Sequence, residues 1–112
     1  MRIKIKLEYK DSTLIKSITK EGNASYLIKG IDNPNYPCLS EVEVDDPTVF
    51  DSNDMDALTK ELLRIRNEIT EPEDKLHIDD IIKLAETCKR NKDTVLTFCG
   101  FSIPVNPPTG RF

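Results

Sequence analysis

The first residues of the chain alternate strictly. Ile3, Ile5, Leu7 and Tyr9 are interleaved with Arg2, Lys4, Lys6, Glu8 and Lys10. A period of two puts the apolar side chains on one face of a strand and the charges on the other. Asp11-Ser12 marks a turn, and Thr13 to Thr19 predicts a second strand that closes a hairpin. Glu21-Gly22-Asn23 punctuates the chain again, and Ser25 to Lys29 predicts a third strand around Tyr26 and Ile28. Gly30 to Pro37 is dense in turn formers, and Pro34 and Pro37 cannot donate to a ladder, so a loop is expected there. Ser40, Val42 and Val44 alternate with Glu41 and Glu43 and predict a fourth strand, which Asp45-Asp46-Pro47 ends.

Near Asp51 the period changes. Met55, Leu58, Leu62, Ile65 and Ile69 recur at spacings of three and four, the stripe of an amphipathic helix. Asp51, Ser52 or Asn53 is placed to cap it, with Asp54 and Asp56 favourable in its first turn and Asp56 opposite Lys60 at i,i+4. Thr70-Glu71-Pro72-Glu73 has capping-box spacing and starts a new helical turn. The main second helix runs from Ile78 to about Arg90, with Ile78, Ile81, Ile82, Ala85 and Cys88 inward and Asn91 as C-cap. Thr94 to Cys99 is apolar and β-branched, a fifth strand suited to the centre of a sheet. The tail, about 104–112, contains Asn106-Pro107-Pro108-Thr109-Gly110 and is expected to be irregular. The sum is one α+β domain over 1–112, a mostly antiparallel sheet of about five strands with two helices packed on one face.

Composition supports that reading. With 12 Ile, 10 Leu and 5 Val against 4 Gly, 112 residues can fill one core without disulfides or metal. No apolar run approaches the ~18 residues of a membrane span. The Lys/Ile alternation at the N-terminus is unlike a signal peptide. Cys38, Cys88 and Cys99 are odd in number and form no C-x-x-C, which fits a reducing cytoplasm.

Charge placement changes the picture more than the net −4 does. Residues 1–29 carry +4, residues 30–59 carry −8 without a single base, and residues 60–112 cancel. The middle block comprises Asp32, Glu41, Glu43, Asp45, Asp46, Asp51, Asp54 and Asp56, with Tyr36 and Phe50 among them. Unless the basic N-terminal strand lies alongside, such a block makes a negative face. That disfavours nucleic acid, whose phosphates need cations, and favours a basic protein. Solvated loops and helix N-termini are also acidic, so the block has an ordinary explanation beside the functional one. As an interface it would comprise Tyr36, Glu41, Glu43, Asp45, Asp46, Phe50, Asp51 and Asp54. The rings would supply affinity and the carboxylates steering.

Catalytic chemistry finds little support. His77, the one histidine, could pair with Cys88 or Cys99 in a small hydrolase, but both cysteines fall on apolar stretches. Zinc would have to use His77, Cys88, Cys99 and a carboxylate without the close paired spacings of structural sites. Asp51 to Asp56 opens like a calcium loop but has Met55 at its fifth position, no Gly at its sixth and Leu62 where the bidentate Glu belongs. Glu41 and Glu43 could act as paired carboxylates, yet the chain has no Trp for a sugar platform. No phosphate-binding glycine motif occurs. No enzyme, cofactor or metal site is expected.

In its size, acidity, α+β order and lack of catalytic residues, the whole chain resembles the small immunity proteins of bacterial toxin systems, such as those of contact-dependent growth inhibition. The resemblance implies a cytoplasmic inhibitor that binds one cognate toxin domain, often a nuclease, and covers its active site, with no direct contact to nucleic acid or membrane. A regulatory or phage-encoded interaction domain without a toxin partner is the alternative, and the Cys/His hydrolase comes third.

Overall fold

The computed structural model describes residues 2–100. Strand β1, Ile3–Tyr9, follows its alternation: Ile3, Ile5 and Leu7 are buried, while Lys4, Lys6 and Glu8 point to the opposite face. At the turn Ser12 takes a φ of 77°, and Asp11 accepts a hydrogen bond from the Thr13 amide at 2.9 Å. Strand β2, Leu14–Thr19, then pairs antiparallel with β1, with a register shift between Leu7 and Glu8.

The third expected strand is instead a single helical turn, α1, Ala24–Leu27. Asn23 occupies the space that a strand would need: its side chain bonds to both the amide and the carbonyl of Ile3, at 2.6 and 2.8 Å. The fourth expected strand is also corrected. Leu39–Glu41 forms a 3-10 turn, and the buried pair is Leu39 and Val42, three apart, rather than the alternating set. A four-residue strand the alternation did not reveal, β3, follows at Thr48–Asp51.

Asp51 caps the next segment reciprocally. It accepts from the Asn53 amide at 2.9 Å, while Asp54 accepts from the Asp51 amide at 3.0 Å. A 3-10 turn, Ser52–Asp54, leads directly into α2, Met55–Glu68. The second long helix, α3, Pro72–Arg90, starts at the proline and runs unbroken through Ile78, so the expected short turn and main helix are one element. Its N-cap is Glu71 with no side-chain cap, so the capping box expected from Thr70 and Glu73 does not set its start. The two helices are joined by Arg66 to Asp79 at 2.6 Å and by Lys89 to Asp56 at 2.6 Å. Asp56 thus finds its ion-pair partner on α3 rather than in Lys60.

Strand β4, Thr94–Gly100, pairs antiparallel with β1 from Ile3↔Gly100 to Tyr9↔Thr94, and β3 lies on its other side. The order is β2-β1-β4-β3, which places β4 inside the sheet as expected. The described residues therefore form an α+β domain with a four-stranded antiparallel sheet and three α-helices, in place of five strands and two helices. Met55, Leu58, Leu62 and Ile65 of α2 and Ile78, Ile81, Ala85 and Cys88 of α3 share one core with Ile3, Ile5, Leu7, Leu96 and Phe98. The tail expected at 104–112 lies outside the described residues. No described helix is long and apolar enough to cross a membrane.

Candidate functional site

The chain between α1 and β3 forms an arch, and one carboxylate holds it. Glu61 lies on the inward stripe of α2, between Leu58 and Leu62, and is only 3% exposed. It accepts from the Cys38 amide at 3.0 and 3.1 Å and from the Leu39 amide at 2.9 Å. Buried polar groups need such partners, and here carboxylate and backbone satisfy one another. Arg64, one turn further, donates to the Asn35 carbonyl. Its guanidinium lies 5.7 Å from the centre of the Tyr36 ring, and the Lys29 ammonium lies 5.0 Å from it. Leu39 and Val42 then insert into the core. Beyond them, Thr48 Oγ1 donates to the Glu41 carbonyl at 3.2 Å and accepts from the Glu43 amide at 3.4 Å. The arch is fastened at several points along its length.

On its outer side the arch bounds an open groove of about 570 Å³. Ile31, Pro34 and Pro37 supply apolar surface, and Asp32, Glu41 and Glu43 supply carboxylates. Ile31 is 85% exposed. Asp45 and Asp46 follow on an exposed bend. Among the described residues none of Asp32, Glu41, Glu43, Asp45 and Asp46 makes an ion pair. The basic N-terminal strand does not neutralise them, because β1 lies between β2 and β4. Its charges have other partners: Lys6 meets Glu8 at 3.6 Å, and Lys20 beyond β2 meets Asp74 at 3.1 Å.

The eight acids therefore divide by role. Asp51 and Asp54 cap a turn, Asp56 joins two helices, and five remain unpaired in solvent. Neither of the two aromatic residues expected in the interface is exposed. Phe50 is 3% exposed and packs edge-to-face on Phe98 at 5.5 Å, and Tyr36 is 8% exposed beneath its two cations. The exposed apolar residue of the groove is Ile31, which the sequence pattern leaves in a loop. Glu61 had a visible signal, a carboxylate on an otherwise apolar helical stripe.

His77 and the cysteines are not brought together. His77 Nε2 lies 3.0 Å from Asn23 Nδ2, and its ring packs against Tyr26. Cys88 is eleven residues further along the same helix, about 16 Å at the usual rise, and its thiol donates to the Thr94 carbonyl at 3.5 Å. Cys99 pairs with Lys4 in the sheet register, on the face opposite the core. Burial, and then the neighbouring Glu61 carboxylate, push the Cys38 thiol up to about 12, far from nucleophilic use. Among the described residues no three His, Cys, Asp or Glu side chains converge as metal ligands.

Comparison with protein-family models, with curated proteins and with solved structures finds no match to this chain. The groove is thus read from its own chemistry.

Proposed function

We propose that the chain is a binding protein whose acidic groove captures a basic protein, in the role of an immunity protein that neutralises a cognate toxin domain by covering its active site. One observation carries the reading: three carboxylates without ion pairs, Asp32, Glu41 and Glu43, line a groove beside Ile31, Pro34 and Pro37, with Asp45 and Asp46 exposed on the bend that follows, on an arch that a buried carboxylate fixes in place. Leaving like charges together is unfavourable for the isolated chain and favourable once an opposite surface arrives. A nuclease domain offers such a surface, since it must hold phosphate. The aliphatic stem of a Lys or Arg suits Ile31, Pro34 and Pro37, and its head suits Glu41, Glu43 and Asp32. The proposal places the protein in the cytoplasm, with a protein partner and without cofactor, nucleic acid or membrane.

The experiment is co-purification with the product of the neighbouring gene. A stable complex that abolishes that protein's activity, with an affinity falling roughly tenfold or more as salt screens the charges, is expected. A complex that forms without inhibiting would leave an interaction domain with no toxin to neutralise. Binding that ignores salt would remove the groove from the interface.

A further inference from the structure

Apart from the groove, a buried polar trio links three elements of the fold. Asn23, just before α1, is fully buried and bonds to β1 like a neighbouring strand. Its Oδ1 accepts from the Ile3 amide at 2.6 Å, and its Nδ2 donates to the Ile3 carbonyl at 2.8 Å. Those two bonds fix which end of the side-chain amide is which. The second hydrogen on Nδ2 is thereby available to His77 Nε2, 3.0 Å away on α3. Nε2 must then be the unprotonated nitrogen of a neutral ring. An imidazolium would set its own N–H against the N–H of Asn23, within a site where His77 is 7% exposed.

The charges around the ring do not reverse this. Asp74 and Asp80, on the histidine's own helix, favour a proton on it, whereas Lys20, beyond β2, opposes one. Asp74 is already held by Lys20 at 3.1 Å. From α1 comes the uncharged Tyr26 phenol, and Ile3 of β1 carries no charge. Burial is the largest influence and lowers the His77 pKa below its ordinary value. A histidine with a depressed folded-state pKa contributes its stability in full above about 6.5. That contribution is lost as the pH falls from there through the folded-state value, because the opened chain then binds the extra proton.

We infer that His77 is an acid-sensitive latch: its neutral ring holds Asn23 against the start of β1, and protonation releases α1 and the first residues of that strand. The latch acts whatever the groove binds.

The test is a pH titration of the full chain by NMR, with amide exchange of Ile3 and of residues 23–27 followed between pH 7 and 5. The His77 ring should titrate below the ordinary histidine value. Protection at Ile3 and α1 should fall in excess of the intrinsic pH effect, by up to about 30-fold at pH 5, the ratio of protonated to neutral histidine in an opened chain. His77→Gln offers an acceptor oxygen but no titration, so its protection should be flat across the range. A ring that titrates at or above the ordinary value overturns the inference without any variant. So does equal loss of protection in the parent and His77→Gln.

Discussion

Glu61 Oε1 lies 2.9 Å from the amide nitrogen of Leu39, 22 residues earlier in the chain, and no cation accompanies that buried carboxylate among the described residues. The contact couples the inner stripe of α2 to the acidic arch. Removing it should loosen the arch from below.

Glu61→Ala is expected to cost about 2–3 kcal/mol, since hydrogen bonds to a charged group are lost and two backbone donors are left without an acceptor. Glu61→Gln, which keeps one acceptor oxygen, should cost less. Urea unfolding of the two variants measures both. Parent-like midpoints would show that the arch stands without this anchor.

The groove can be tested without disturbing the fold. Glu41→Lys with Glu43→Lys should change stability by no more than about 0.5 kcal/mol, as exposed sites usually do, and should slow association with a basic partner more than it speeds dissociation. Ile31→Ser should do the reverse and raise the dissociation rate, because an exposed apolar side chain acts once it is covered. Stopped-flow rates of the two variants separate charge from contact. Indistinguishable rates would mean that the partner binds elsewhere.

Gly100 has a different role. A Cβ at this position would overlap the Val44 carbonyl oxygen and sit 2.7 Å from its carbonyl carbon, both backbone atoms. Gly100→Ala should therefore push residues 42–46 off the end of β4, at a cost of about 1–3 kcal/mol. It should also weaken partner binding although no charge has changed. Amide chemical shifts across 42–46 that match the parent would exclude the displacement.

The thiols should report the packing. Cys88 is buried, and burial together with the neighbouring Glu61 pushes the Cys38 thiol up to about 12, which disfavours its reactive thiolate at pH 8. Both should label slowly in the native protein. All three cysteines should react after unfolding, because none is in a disulfide. Fast native labelling at Cys38 would mean that the arch opens readily.

How far the residues announced this structure depends on the length of each pattern. Seven alternating positions in β1 and a stripe from Met55 to Ile65 in α2 repeat often enough for one period to exclude the other. The four residues around Tyr26 do not, and a distant partner, Ile3, decided the outcome there by occupying Asn23. Likewise Ser40, Val42 and Val44 alternate, but Glu61 takes up the amides of Cys38 and Leu39 and favours a turn. Strand β3 is four residues long, too short for any period to register. At the candidate site the acidic density was visible, whereas its division into capping, bridging and unpaired carboxylates depends on three-dimensional neighbours. The burial of Tyr36 and Phe50 could not be read either, since a ring beside acids looks the same facing in or out.

The pairing of Ile3 with Gly100 sets a condition on how the protein is made. The two innermost strands come from opposite ends of the described chain, so β1 waits for β4 while the ribosome adds some ninety residues. At ordinary synthesis rates that is roughly 5–20 s. During that interval the β1–β2 hairpin can form, but Ile3, Ile5 and Leu7 have no helix above them until α2 and α3 are made, and no strand on one side until β4 follows. Nascent chains should therefore hold this hairpin edge open to chaperones, and to one another, until Phe98 emerges.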